Sequence, residues 1–303
     1  GVVVDDGPAA TITISDNEFS GYAEAFQLDD GNNGDAATYD IVRNSFSGST
    51  TAIDLVDGDT SGDVIRIHFN DVVDTENGVV NDIPSNDIDT EVSVRANWWG
   101  DESGPSGAFD GAGDSLDGSN TGDINATPWL TDSVDTLPTD QYVVIPDPRD
   151  PVANGSDAAS RNANVVVATL NDTLADGEDQ DSTVLIADPA GPVGSTENNG
   201  EASAANPVTY TVGADSAGDY TLRAANTNDN VPDGSATQTF VGTPSGVTVE
   251  VDSDTLPADD ETTINATATL VDSNGNAVDR GSGYGVTWLV SGSNDASVTR
   301  VTE

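Results

Sequence analysis

Short alternations of apolar and polar residues recur at a fixed interval along the first third of the chain. Ile12, Tyr39, Ile65 and Val92 form one column of the repeat, and Ile14, Ile41, Ile67 and Val94 form a second. Phe19, Phe46, Val72 and Trp99 form a third, and Phe26, Ile53 and Val79 a fourth. Asn17, Asn44, Asn70 and Asn97 keep the same register, at steps of 27, 26 and 27 residues. Alternation within a repeat predicts strands, because successive side chains of a strand point to opposite faces. A constant period of this size predicts a solenoid in which each repeat is one coil. The asparagines fall where a strand should turn. A stacked asparagine column can satisfy the backbone of such turns and bond from one amide to the next.

The pattern closes on Asn97-Trp98-Trp99-Gly100, then Ser103-Gly104-Pro105, then Pro128-Trp129-Leu130. The run NWWGDESGPSG, followed by a Gly/Asp-rich stretch and TPWL, resembles the closing coil of right-handed parallel β-helix proteins of the pectate-lyase-like superfamily. The resemblance covers residues 10–131. It implies a three-faced β-helix plugged at its C-terminal end by Trp98, Trp99 and Trp129. A last coil has an open edge and an exposed core, and both need covering. No cap precedes Ile12, so the expectation is that the helix starts ahead of Gly1. Residues 1–131 are therefore read as C-terminal coils and cap.

Beyond that the period stops. Pro138, Pro146, Pro148 and Pro151 crowd residues 132–161, which read as a Pro/Asp-rich linker holding one short strand at Tyr142-Val143-Val144-Ile145. Residues 162–244 give strand-sized runs separated by turn residues, as in a sandwich. Within them, Ala217-Gly218-Asp219-Tyr220-Thr221-Leu222 resembles the tyrosine-corner strand of immunoglobulin-like domains. In residues 245–303, LPADDETTINATATLVDSNGNAV followed by VTWLVSG resembles the bacterial immunoglobulin-like repeats of invasin and intimin. A sandwich takes about 100 residues, so this second module is expected to be incomplete. The expected fold class is all-β, a parallel β-helix followed by immunoglobulin-like modules.

Charge adds a habitat. Asp and Glu total 54 against 8 basic residues, all of them Arg, for a net charge of −46. Spread over roughly 12,000 Å² of folded surface, that is one uncompensated charge about every 16 Å. The Debye length is ~8 Å at physiological ionic strength and ~3 Å at 1 M salt, so such a surface suits concentrated salt. This composition resembles that of extremely halophilic archaea. It repels nucleic acid. The chain contains no Cys, hence no disulfide or thiolate metal site. It contains no run of about 18 apolar residues that would span a membrane. With no Met present, the chain reads as a processed product or a segment of a longer one.

Three groups of residues are candidates for chemistry. Arg43, Arg66, His68 and Arg95 fall on or beside one strand column, where pectate-lyase-like enzymes carry catalytic groups. Asp16 lies one coil from Arg43 and Asp40 one coil from Arg66, so the alternative is a ladder of cross-coil ion pairs. The turns carrying Asp30, Asn32 and Asp35, and Asp57, Asp59 and Asp63, place oxygen ligands on adjacent coils about 5 Å apart, a spacing suited to Ca²⁺. Sequons at Asn125, Asn154, Asn171 and Asn265 are candidate glycosylation sites, with Asn154 in the linker the most accessible.

The expected function is that of an extracellular or cell-surface structural or adhesive protein: a filament, coat or adhesin subunit. Its partners would be other copies of itself, envelope proteins or surface glycans. Two alternatives stand beside this. One is a carbohydrate-active lyase or hydrolase using the Arg43–Arg66–His68–Arg95 ridge. The other is the receptor-binding spike of a haloarchaeal virus.

Overall fold

The computed structural model describes residues 1–5, 11–29, 37–56, 63–83, 91–118, 124–149, 163–170, 183–188, 202–214, 217–226, 231–251, 266–273, 275 and 277–278. Among these the protein is all-β, with parallel sheets and no α-helix.

The first strands are β1 (Val2–Asp5), β2 (Thr11–Ser15), β3 (Glu18–Ser20) and β4 (Glu24–Asp29). They are followed by β5 (Thr38–Val42), β6 (Ser45–Ser47), β7 (Thr51–Val56), β8 (Val64–His68), β9 (Asp71–Val73) and β10 (Asn77–Asn81). Next come β11 (Glu91–Ser93), β12 (Pro105–Gly107) and β13 (Gly113–Asp117). The chain visits three parallel sheets in turn. One runs β1-β4-β7-β10-β13-β12, the second β11-β8-β5-β2, and the third β3-β6-β9.

The register is the one the repeat predicts. Ile12 pairs with Tyr39, Tyr39 with Ile65, and Ile65 with Val92. Phe19 pairs with Phe46 and Phe46 with Val72. Phe26 pairs with Ile53 and Ile53 with Val79. These columns fill a single buried cluster that runs from Phe19 to Trp99 and Trp129. Phe19 and Phe46 stack with ring centroids 4.9 Å apart and planes 6° from parallel. In-register stacking thus turns a sequence period into a continuous core.

Two columns of left-handed backbone turn the chain between sheets. Asp16, Arg43, Phe69 and Ala96 have φ of 58°, 55°, 53° and 53°, each just before an asparagine of the ladder. Gly21, Gly48, Asp74 and Gly100 have φ of 74°, 58°, 57° and 84° at the next corner. Glycine suits that conformation, and other residues adopt it at a steric cost of about 1–2 kcal/mol. The ladder offsets the cost at the first corner. Asn44 and Asn70 each donate main-chain and side-chain N–H groups to the Oδ1 of the asparagine one coil on, at 2.9–3.1 Å.

The end of the stack is closed by side chains. Trp99 is fully buried beneath the cap. Trp129 packs on Gly104 and donates its indole N–H to the Glu102 carbonyl at 3.2 Å. Gly104 has φ of 87°, and a Cβ there would lie 2.3 Å from Trp129 Cε2. Only glycine satisfies both requirements.

The remaining strands are β14 (Tyr142–Ile145), β15 (Ala163–Thr169), β16 (Thr183–Asp188), β17 (Val208–Val212), β18 (Gly218–Asn226) and β19 (Gly234–Phe240). One antiparallel sheet runs β14-β15-β17 and another three-stranded sheet β16-β18-β19. The compact units cut across the segments expected from sequence. Gly1–Pro148, Ala163–Val212 and Asp219–Gln238 form one unit. The short strand in the stretch read as linker, β14, is buried along its whole length. The reason is a second apolar cluster in which Phe69, Ala96 and Leu130 meet Val143, Ile145, Val166, Ala168, Leu170 and Ala204. The described residues 163–170 and 202–212 therefore pack on the flank of the parallel sheets.

The second unit comprises Arg149–Asn162, Gly213–Gly218 and Thr239–Glu303. Its described strands β20 (Gly246–Val251) and β21 (Ala266–Val271) form an antiparallel pair. Asp272 accepts the Gly242 N–H at 3.0 Å, and Gly275, with φ of 87°, donates its main-chain N–H to the Asp272 carbonyl.

Candidate functional site

The four residues of the candidate ridge do not share one environment. Arg43 sits in the left-handed turn after β5 and clamps Asp16 one coil back. Its Nε donates to Oδ1 at 2.9 Å and its Nη2 to Oδ2 at 2.8 Å. This bond holds the Asp16 carboxyl below its ordinary range. Arg66, on β8, faces Asp40 on β5 at 3.5 Å. Asp40 is nearly buried, and burial pushes its pKa up more than Arg66 draws it down. The cross-coil pairs expected from sequence are therefore both present.

His68 ends β8 and is only 3% exposed. Its Nε2 lies 2.8 Å from Ser93 Oγ on β11. The backbone of Ala205 and Ala204 lies close enough to act on the ring, although Nδ1 makes no well-formed hydrogen bond. Burial, then the charge of Arg95, depresses its pKa to about 3. The imidazole is neutral at every ordinary pH. Arg95 in turn donates to Thr209 Oγ1 on β17 at 2.8 Å. The part of the ridge holding His68 and Arg95 is thus an interior contact between the parallel sheets and residues 202–212.

Of the candidate calcium ligands, Asp30, Asn32, Asp35, Asp57 and Asp59 lie outside the described residues. Asp63 is buried, and its Oδ1 accepts the Ala37 N–H of the preceding coil at 2.7 Å. Its described role is to pin one coil to the next. Among the described residues no group of three or more His, Asp or Glu side chains is arranged to hold a metal ion. Of the sequons, Asn154, Asn171 and Asn265 lie outside the described residues. Asn125 is exposed, and its Oδ1 accepts the Thr127 N–H at 3.1 Å, while Thr127 itself is buried.

Other polar groups with structural roles escaped the sequence reading. Asp71 accepts Ser133 Oγ at 2.6 Å and the Val134 N–H at 2.8 Å, tying β9 to the short 3-10 turn Val134–Thr136. The only sequence signal was Ser133 as an N-cap. The buried Gln238 side chain accepts the Asp147 main-chain N–H at 2.7 Å and donates to the Asp147 carbonyl at 3.1 Å, across 91 residues, a separation no local pattern reveals. On the first sheet, Asp54 has its pKa raised by burial and then by Glu24 and Asp82. No helix among the described residues is long and apolar enough to cross a membrane. No family model matches the chain, and comparison with curated proteins and with solved structures finds no match either.

Proposed function

We propose that this chain is the closing end of a parallel β-helix joined to immunoglobulin-like modules, and that it serves as an extracellular structural or adhesive protein at the surface of a halophilic archaeon. One observation carries the reading. The polar side chains of successive coils are engaged with one another: Asp16 with Arg43, Asp40 with Arg66, His68 with Ser93, and each asparagine with the next. Side chains held in this way maintain a shape. A rigid stack with a sheet bound along its flank suits a protein that projects a surface or assembles with copies of itself. Its acidic exterior suits molar salt, and divalent cations would bridge neighbouring acidic faces.

Electron microscopy of the full-length protein in molar NaCl with calcium, together with antibody labelling of intact cells, tests this. Filaments, a coat or surface labelling are expected. A free monomer detached from the envelope would overturn the proposal, as would cleavage of an acidic polysaccharide that is lost in Arg66→Ala. For the Asp-rich turns, calcium at 100 times its dissociation constant should add about 2.7 kcal/mol to stability. An unchanged unfolding midpoint rejects the calcium site.

A further inference from the structure

The ribbon of β20 and β21 has two unlike faces. Cross-strand partners share a face, so one carries Val247, Val249 and Val251 with Leu270, Ala268 and Ala266. The other carries Thr248 and Glu250 with Thr269 and Thr267. Val247, Val249 and Val251 are 47%, 56% and 48% exposed. The main chain of β20 is also open on one side. Leu270 gives its carbonyl to the Val278 N–H at 2.9 Å, on the edge of β21 away from β20. Alternation then turns Thr269 and Val271 toward β20, and Val271 accepts the Ser245 N–H at 2.8 Å. The hydrogen-bonded pairs of the ribbon are therefore Gly246–Val271, Thr248–Thr269 and Glu250–Thr267. The N–H and C=O groups of Val247, Val249 and Val251 face the other way, where no strand among the described residues pairs with them. This edge lacks the usual guards against pairing. It carries no Lys, Pro or bulge, and its one charge is Glu250.

We propose that β20 pairs antiparallel with β20 of a second copy, about a two-fold axis at Val249, and merges two ribbons into one four-stranded sheet. The inference deepens the self-assembly reading above and rests on it. The edge is complementary to itself. Val249 meets Val249 of the second copy and Val247 meets its Val251, each pair exchanging both main-chain hydrogen bonds and extending the apolar face. Glu250 falls opposite Thr248, so like charges do not face each other across the strands. The merged sheet also meets a need of the ribbon. Two strands alone are marginal, whereas three or more with an apolar face are stable, and Ala277 adds only an isolated bridge to Val271. A six-residue edge buries less than the roughly 800 Å² per partner of a standard interface. The contact is therefore a weak one that acts among copies already concentrated in an assembly.

The chain has no Cys, so introduced thiols report alone. In the proposed register Thr248 and Glu250 of the second copy form a non-hydrogen-bonded pair with Cα atoms about 4.5 Å apart, within disulfide reach. Intact Thr248→Cys and Glu250→Cys chains, mixed in molar NaCl and mildly oxidised, should crosslink about tenfold more than either chain alone. Val249→Pro in both should abolish the excess, because that N–H faces the open edge and its loss spares the β20–β21 ladder. In the unmodified protein, protection of the Val249 amide from hydrogen exchange should rise with protein concentration. Equal crosslinking in the mixture and in the separate chains overturns the inference, as does an excess that survives Val249→Pro. Val249 protection unchanged on hundredfold dilution would mean that the chain covers its own edge, and overturns it equally. Filaments or a coat formed without the crosslink would refute this contact and leave the assembly reading standing.

Discussion

Asn70 donates both its main-chain N–H and its side-chain amide to one oxygen, Asn97 Oδ1, at 2.9 and 3.1 Å. The same side chain donates to the carbonyls of Ile41 and His68, while its own Oδ1 accepts from Asn44. Asn70→Ala would therefore leave several buried groups on three coils without partners. An unsatisfied buried group costs about 1–3 kcal/mol, with neighbours partly relaxing. The expected loss is about 3 kcal/mol by denaturant unfolding. Asn17→Ala, at the exposed start of the ladder, should cost below about 1 kcal/mol. Equal losses at the two positions would contradict a ladder that is strongest in its interior.

Gly104→Ala and Gly21→Ala separate backbone strain from steric overlap. Both glycines have positive φ, but a Cβ at Gly21 meets nothing within 4 Å whereas one at Gly104 enters the Trp129 ring. Gly21→Ala should cost about 1–2 kcal/mol. Gly104→Ala should cost about 1–3 kcal/mol more, with a change in tryptophan fluorescence as Trp129 is displaced.

Phe69→Ala removes a fully buried ring shared by the parallel sheets and the β14-β15-β17 sheet. Such truncations cost about 3–5 kcal/mol. Limited proteolysis should show earlier cleavage within residues 202–212 than in the parent protein. Cleavage confined to the coils would contradict the shared cluster.

Asp16 and Asp40 should respond to pH in opposite senses. The folded-state pKa of Asp16 is lowered, so its contribution is present at neutral pH and lost as pH falls through that value. The folded-state pKa of Asp40 is raised, so its contribution is present in acid and lost as pH rises through that value. Stability measured from pH 3 to 7 should lose part of its acid-side decline in Asp16→Asn and part of its opposing trend in Asp40→Asn. The Asp16–Arg43 coupling itself should be about 0.5–1 kcal/mol in a double-mutant cycle at 0.1 M salt, because the carboxylate is exposed. It should shrink in molar salt.

Net charge sets the last expectation. With 46 uncompensated negative charges, lowering NaCl from molar to 0.1 M should lower the unfolding temperature steeply. A sugar or polyol at matched osmolality should not substitute for salt. A midpoint indifferent to NaCl would remove the case for a saline habitat.

Much of the parallel architecture was legible because its contacts join residues 26 or 27 apart. Ile41 meets Ile67, and Asn44 meets Asn70, at the spacing that the sequence displays. The flank packing was not legible, since Arg95 and Thr209 are 114 residues apart and no period links them. One signal was nevertheless present. The left-handed column reads Asp16, Arg43, Phe69, Ala96, turning from charged to apolar where the β14-β15-β17 sheet covers it. That switch, on an outward column of an acidic protein, marks a covered face. For the same reason His68 and Arg95 looked like an open ridge when read along the strands alone.

The asparagine ladder also has a direction. Asn17, Asn44 and Asn70 each send their main-chain N–H to an oxygen that lies later in the chain. A polypeptide emerging amino end first thus offers donors whose acceptors have yet to be synthesised. Every winding waits for its successor, and the tryptophan-bearing end is the element whose arrival lets the whole column lock.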